Sequence, residues 1–92
     1  MSVSNPEKVI IALLDRENGF QSDAELPCHM LVSDLSVGLL RLLQAKEPGR
    51  YAGCTRIDLW VGDRKLSGNQ TLASVGAWEG TLLLLRPQRA GF

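Results

Sequence analysis

The sequence predicts an α+β domain, a mixed β-sheet in ββαββ order with one helix packed across one face. Three observations predict it. Lys8 to Asp15 is a nearly uninterrupted apolar run of strand length, and Leu82 to Leu85 is a second. Between them only Val32 to Ala45 has helical periodicity. The remaining connections are polar and punctuated by glycine and proline, which suits turns.

Lys8 to Asp15 is apolar almost throughout, so both of its faces are expected to be covered and its place in the sheet to be central. Asn18-Gly19 then supplies the positive φ angles of a tight hairpin. Phe20 to Leu26 alternates, with Phe20, Ser22, Ala24 and Leu26 on one side and Gln21, Asp23 and Glu25 on the other, which marks an edge strand with one wet face. Pro27 ends it, since proline cannot donate to a ladder.

At 100° per residue Val32, Leu35, Leu39, Leu42 and Leu43 share one arc of the helix, while Asp34, Arg41 and Gln44 lie opposite. Leu40 borders the arc and Val37 lies outside it. Ser33, or a residue just before it, is expected to cap the first amides, and Asp34 suits the positive end of the helix dipole. Pro48-Gly49 stops the helix. Arg50 to Thr55 reads as a loop and Arg56 to Val61 as the third strand. Lys65-Leu66 reads as a very short strand, Thr71 to Gly76 as one helical turn, and Thr81 to Arg86 as the last strand. A right-handed crossover lets that last strand lie parallel beside the first, in the middle of the sheet. Residues 1–7 are expected to be a flexible N-terminus, residues 8–87 one domain, and residues 88–92 a flexible tail.

Composition narrows the function. The chain has 92 residues, 45% of them apolar, so one small domain with a real core is expected. Ten basic and ten acidic residues cancel. That argues against nucleic acid, whose binders need a basic excess, and against electrostatic attraction to anionic lipid. No apolar run reaches the length of a bilayer span, and the N-terminus lacks the basic region of a signal peptide. A cytoplasmic protein is expected, with no direct membrane insertion and with Cys28 and Cys54 as reduced thiols in small apolar sites.

The constellations that carry chemistry do not assemble. His29 follows Cys28, but adjacent side chains on an extended segment point apart, and no third group orients the imidazole. Zinc would need two further nitrogen or sulfur ligands. Gly62-Asp63-Arg64-Lys65 precedes no helix of phosphate-loop type and reads as a turn. No catalytic residue, metal or cofactor is therefore expected.

The segments Asp23-Ala24-Glu25-Leu26-Pro27, Val32-Ser33-Asp34-Leu35 and Leu39-Leu40-Arg41-Leu42-Leu43 resemble the start of the YukD and EccD ubiquitin-like domains of the bacterial type VII (ESX-like) secretion apparatus. Gly62, Leu66, Thr71-Leu72, Gly76, Glu79-Gly80 and Leu82 to Pro87 resemble their second half. The resemblance covers about residues 8–87 and implies a β-grasp fold with an accessory docking role. The implied partner is a protein: the secretion ATPase, a channel subunit, or a second copy that makes a homodimer. It also implies a place at the inner face of the cell membrane, reached through that partner. The chain resembles the free-standing form, and a domain cut from a longer protein fits as well.

Aligned on Leu66 and Thr71-Leu72, Ile57 and Leu59 point inward and Trp60 outward. On the last strand the same reasoning puts Leu82 and Leu84 inward and Leu83 and Leu85 outward. Trp60, Leu83 and Leu85, edged by Arg64 or Arg86, would then match the recognition patch of ubiquitin. The plainer reading is that these are ordinary surface apolar residues. Trp78 is expected to be a lid on the core, with a second anchor as its functional alternative. The other common role of the β-grasp fold, covalent modifier or sulfur carrier, needs a terminal diglycine. The sequence ends Arg89-Ala90-Gly91-Phe92, which disfavours that role.

Overall fold

The computed structural model describes residues 8–89. Strand β1 (Lys8–Asp15) pairs antiparallel with β2 (Phe20–Pro27), and helix α1 (Val32–Lys46) follows. A short helix α2 (Pro48–Tyr51), strand β3 (Cys54–Val61), the two-residue strand β4 (Arg64–Lys65) and strand β5 (Leu82–Arg89) complete the order. The five strands form one sheet in the order β2-β1-β5-β3-β4, with β5 parallel to β1 and antiparallel to β3.

β1 is central, as its apolar content requires, but only one of its faces is covered. Val9, Ile11, Leu13 and Asp15 are buried beneath the helix layer, while Ile10 on the opposite face is exposed. A single helix reaches one side of a sheet, so the continuous apolar run reflects a central strand and not two covered faces. β2 keeps its expected alternation, with Phe20, Ser22, Ala24 and Leu26 opposite the inward residues of β1.

The hairpin differs in detail. Four residues join Asp15 to Phe20, and Gly19 takes a positive φ of 70° while Asn18 does not. The Asp15 carboxylate organises this turn. Its Oδ1 accepts from the Glu17 and Asn18 amides at 3.0 and 3.3 Å. Its Oδ2 accepts from Asn18 Nδ2 at 2.7 Å and from the Tyr51 hydroxyl at 2.6 Å. Asp15 and Tyr51 are both fully buried, so each satisfies a polar atom the other would otherwise strand in the core. Burial first, and the Asp15 contact second, push the Tyr51 phenol well above its usual value.

Val32, Leu35, Leu39 and Leu43 bury one stripe of α1, whereas Leu42, expected on that stripe, is exposed. The helix starts without a side-chain cap. Its first amides are met across the fold instead: Val32 N–H donates to Gln70 O at 2.8 Å and Ser33 N–H to Gly68 O at 3.0 Å. This requires close approach. A Cβ on Gly68 would lie 3.2 Å from that of Ser33. Pro48, expected only to stop α1, also opens α2, where its missing amide costs nothing. β3 starts at Cys54 and β4 at Arg64, two residues and one residue earlier than expected.

β5 runs on to Arg89, so residues 88 and 89 belong to the sheet and not to a tail. Its pairing with β1 stops at Leu84, and beyond that, among the described residues, β5 has a neighbour only in β3. Pro87 is tolerated there because a strand with one open side can spare an amide. The expected flexible segments 1–7 and 90–92 lie outside the described residues.

Candidate protein-interaction face

The register of β5 decides which leucines reach the open face of the sheet. Residues directly opposite in a ladder share a face. Leu85 sits opposite Leu59, and Leu83 opposite Leu13, and all four are buried in the core. Leu84 sits opposite both Trp60 and Leu14, and Leu82 opposite Ala12. The expected parity of β5 is therefore inverted: Leu83 and Leu85 point under the helix and cannot touch a partner. Leu82 and Leu84 take their places on the open face, Leu82 being 39% exposed and Leu84 half-buried.

Leu14, Leu84 and Trp60 make one row across β1, β5 and β3, and Lys65 of β4 closes it opposite Trp60. Ala12 and Leu82 form the next row, and Ile10 lies beyond. Arg64, expected at the edge of the patch, pairs with Val61, which packs against the core, so it has the other parity. Arg86 does edge the row. Its guanidinium carbon lies 4.8 Å from the centroid of the Trp60 ring, within cation–π range. The Trp60 indole Nε1 is buried and has no hydrogen-bond partner among the described residues. Next to the row, a depression of about 620 Å³ is lined by Arg16, Trp60, Thr81, Leu82, Leu84 and Arg86, among others.

Polar groups fix the rim. Asp58 accepts from Gln88 Nε2 at 3.1 Å and pairs with Arg56 and Lys65, each at 3.5 Å. At the far end Glu79 lengthens the parallel β1–β5 ladder with its own side chain: Ile10 N–H donates to Glu79 Oε2 at 2.6 Å, and Gly80 N–H donates to Ile10 O at 3.0 Å. Gly80 takes a φ of 82° to turn the chain into β5, which explains the Glu-Gly pair before this strand. Trp78, just before it, is 51% exposed and is not a core lid. Leu72 and Ala77 fill that part of the core instead.

Cys28 and Cys54 are buried in the core, while His29 beside Cys28 is exposed. Among the described residues no group of three or more metal-ligating side chains gathers, and no helix is long and apolar enough to cross a membrane.

A mixed five-stranded sheet in this order, crossed on one side by a single helix, defines a ubiquitin-like β-grasp domain. The chain belongs to the family described as "WXG100 protein secretion system (Wss), protein YukD", whose sequence pattern matches residues 8–85. It is similar to the EccD5 ubiquitin-like domain from Mycobacterium xenopi, with 18% identity and a TM-score of 0.74 over 94% of this chain and 100% of that one. It is also similar to a chain of the MycP5-free ESX-5 inner membrane complex, with 21% identity and a TM-score of 0.73 over 95% of this chain, which spans only 22% of that one. The ubiquitin-like domain of yeast Ddi1 shares the fold more distantly, at 22% identity and a TM-score of 0.61 over 98% of this chain and all of that one. No curated protein matches the chain.

Proposed function

We propose that this chain is a non-catalytic docking module of a type VII secretion system, and that the open face of its sheet binds a protein subunit of that system. The observation that carries this reading is the Leu14–Leu84–Trp60 row, flanked by Leu82 and Ile10 and left uncovered by helix α1, which packs on the other face. Tryptophan and leucine at the centre with arginine at the rim is the make-up of an interface core. It is not the make-up of a site for proton or group transfer.

Membership in the YukD family and likeness to a chain of an ESX-5 inner membrane complex support a partner within such an assembly. The reading places the domain on the cytoplasmic side, held at the membrane through the secretion ATPase or a channel subunit, with a second copy as the alternative occupant. The unmet Trp60 donor suits an acceptor supplied by the partner once Arg86 moves off the ring.

Trp60→Ala and Leu84→Ser test this by co-purification with the assembled secretion complex and by secretion in cells. Both variants should fold, since neither side chain belongs to the core. Association should fall tenfold or more, because burying such an anchor is worth about 2 kcal/mol. Full association and full secretion by both variants would remove this face from the function. Sedimentation at two concentrations distinguishes a second copy from a different partner.

A further inference from the structure

The outer edge of β2 carries a second surface. Among the described residues β2 ends the sheet, so every second residue of its eight turns its N–H and C=O away from β1 with no described strand to receive them. Helix α1 makes its close approach to β3, which leaves a groove between α1 and β2. That groove holds about 330 Å³ and is lined by Leu26, Pro27, Met30, Leu39, Gly38 and Leu42, among others. Met30 and Leu42 are 41% and 39% exposed, and nothing lies within 4 Å of a Cβ built on Gly38. An unpaired strand beside an apolar groove is the arrangement that accepts an added strand.

Geometry and charge together select the occupant. On the helix side an added strand would lie beside Ala24 and Leu26 and over Gly38 and Leu42, a surface for apolar side chains. On the other side it would lie beside Asp23 and Glu25, both exposed and, among the described residues, in no ion pair. A second copy pairing edge to edge would bring Asp23 and Glu25 against the same acids, and like charges facing each other across a ladder are destabilising. We infer that the β2 edge and the α1–β2 groove form a docking site for an extended segment of another protein in which basic and apolar residues alternate. Its apolar side chains enter the groove and its basic side chains meet Asp23 and Glu25. The groove opens on the helix side of the sheet, and Asp23 and Glu25, although on the open face, are separated from Trp60 by β1 and β5.

The test is selection of displayed random eight-residue peptides on the folded protein, followed by NMR titration of the labelled protein with the enriched peptides. Alternating basic and apolar sequences should be enriched. They should shift the amides of residues 20–27 and of Gly38 and leave the Trp60 indole N–H unmoved. Gly38→Gln puts a side chain into the groove from a Cβ with no atom within 4 Å, and glutamine suits a helix better than glycine. It should keep the fold and weaken these peptides by about tenfold or more. Asp23→Lys with Glu25→Lys should turn the selection to acidic and apolar alternation. No enrichment, enriched peptides without alternation, shifts confined to the Trp60 face, or unchanged affinity in Gly38→Gln would each overturn the site. So would shifts of residues 20–27 caused by added unlabelled protein, which would assign the edge to self-association.

Discussion

Leu83 and Leu84 are neighbours in sequence and identical in chemistry, yet they lie on opposite faces of β5, so the same substitution at each isolates the effect of the face. Leu83 is fully buried against the helix layer. Truncating it to alanine leaves a cavity that close-packed neighbours fill only in part, and such changes cost about 2–5 kcal/mol. A domain of this length has about 5–14 kcal/mol of total stability. At about 4–8 °C per kcal/mol for a domain of this size, Leu83→Ala should lower Tm by about 8–40 °C. Leu84 is half-buried on the open face, where solvent replaces the lost atoms, so Leu84→Ala should cost about 1 kcal/mol or less and move Tm by only a few degrees. Circular dichroism melts, with urea titrations to check that the m value is unchanged, make the comparison. Equal losses, or a larger loss at Leu84, would refute the register that pairs Leu85 with Leu59 and Leu84 with Trp60.

Three further perturbations examine the supports of the fold and the site. Tyr51→Phe removes a hydrogen bond to the buried Asp15 carboxylate and should cost about 1–3 kcal/mol in urea denaturation. The folded state holds the Tyr51 phenol above its ordinary value of 10, so its contribution is complete below pH 10 and is lost as pH rises beyond it. Wild-type stability should therefore fall more steeply than that of Tyr51→Phe between about pH 10 and 11. Gly68→Val crowds Ser33 and should speed hydrogen exchange at the Val32 and Ser33 amides, at a cost of about 1 kcal/mol. In a Trp78→Phe background, Arg86→Gln should uncover the Trp60 ring, increase its quenching by acrylamide and cost about 0.5–1 kcal/mol.

Where one face is wet and the other dry, the elements could be read from the sequence. β2 shows its alternation outright, and the helical stripe through Val32, Leu35, Leu39 and Leu43 carries its own period. β5 could not be read in that way, because four consecutive leucines carry no alternation. The only local sign of parity was Arg86, which is exposed and therefore places Leu84 and Leu82 outside with it. Asp15 misleads in the opposite sense, since a carboxylate at a strand end reads as solvated until Tyr51 is seen to meet it from 36 positions away. The start of α1 was equally hidden, since its amides are met by Gly68 and Gln70 and not by a neighbouring side chain. At the site, alignment on Leu66 and Thr71-Leu72 puts Trp60 on the open face, whereas the inward parity expected for Leu82 and Leu84 would have taken Arg86 inside with them. Leu82, Leu84 and Lys65 needed the ladder register, which is a long-range property.

The docking role proposed for the open face is tested most directly by a photo-crosslinking amino acid placed at position 84 in cells that run the secretion system, with the same residue at position 37, exposed on α1, as the control. A specific adduct with a subunit of the complex from position 84, absent from position 37 and lost with Trp60→Ala, is the expected result. Adducts that form at position 37 and not at 84 would show that the partner grips the helix side, and the open face would then have no role in docking.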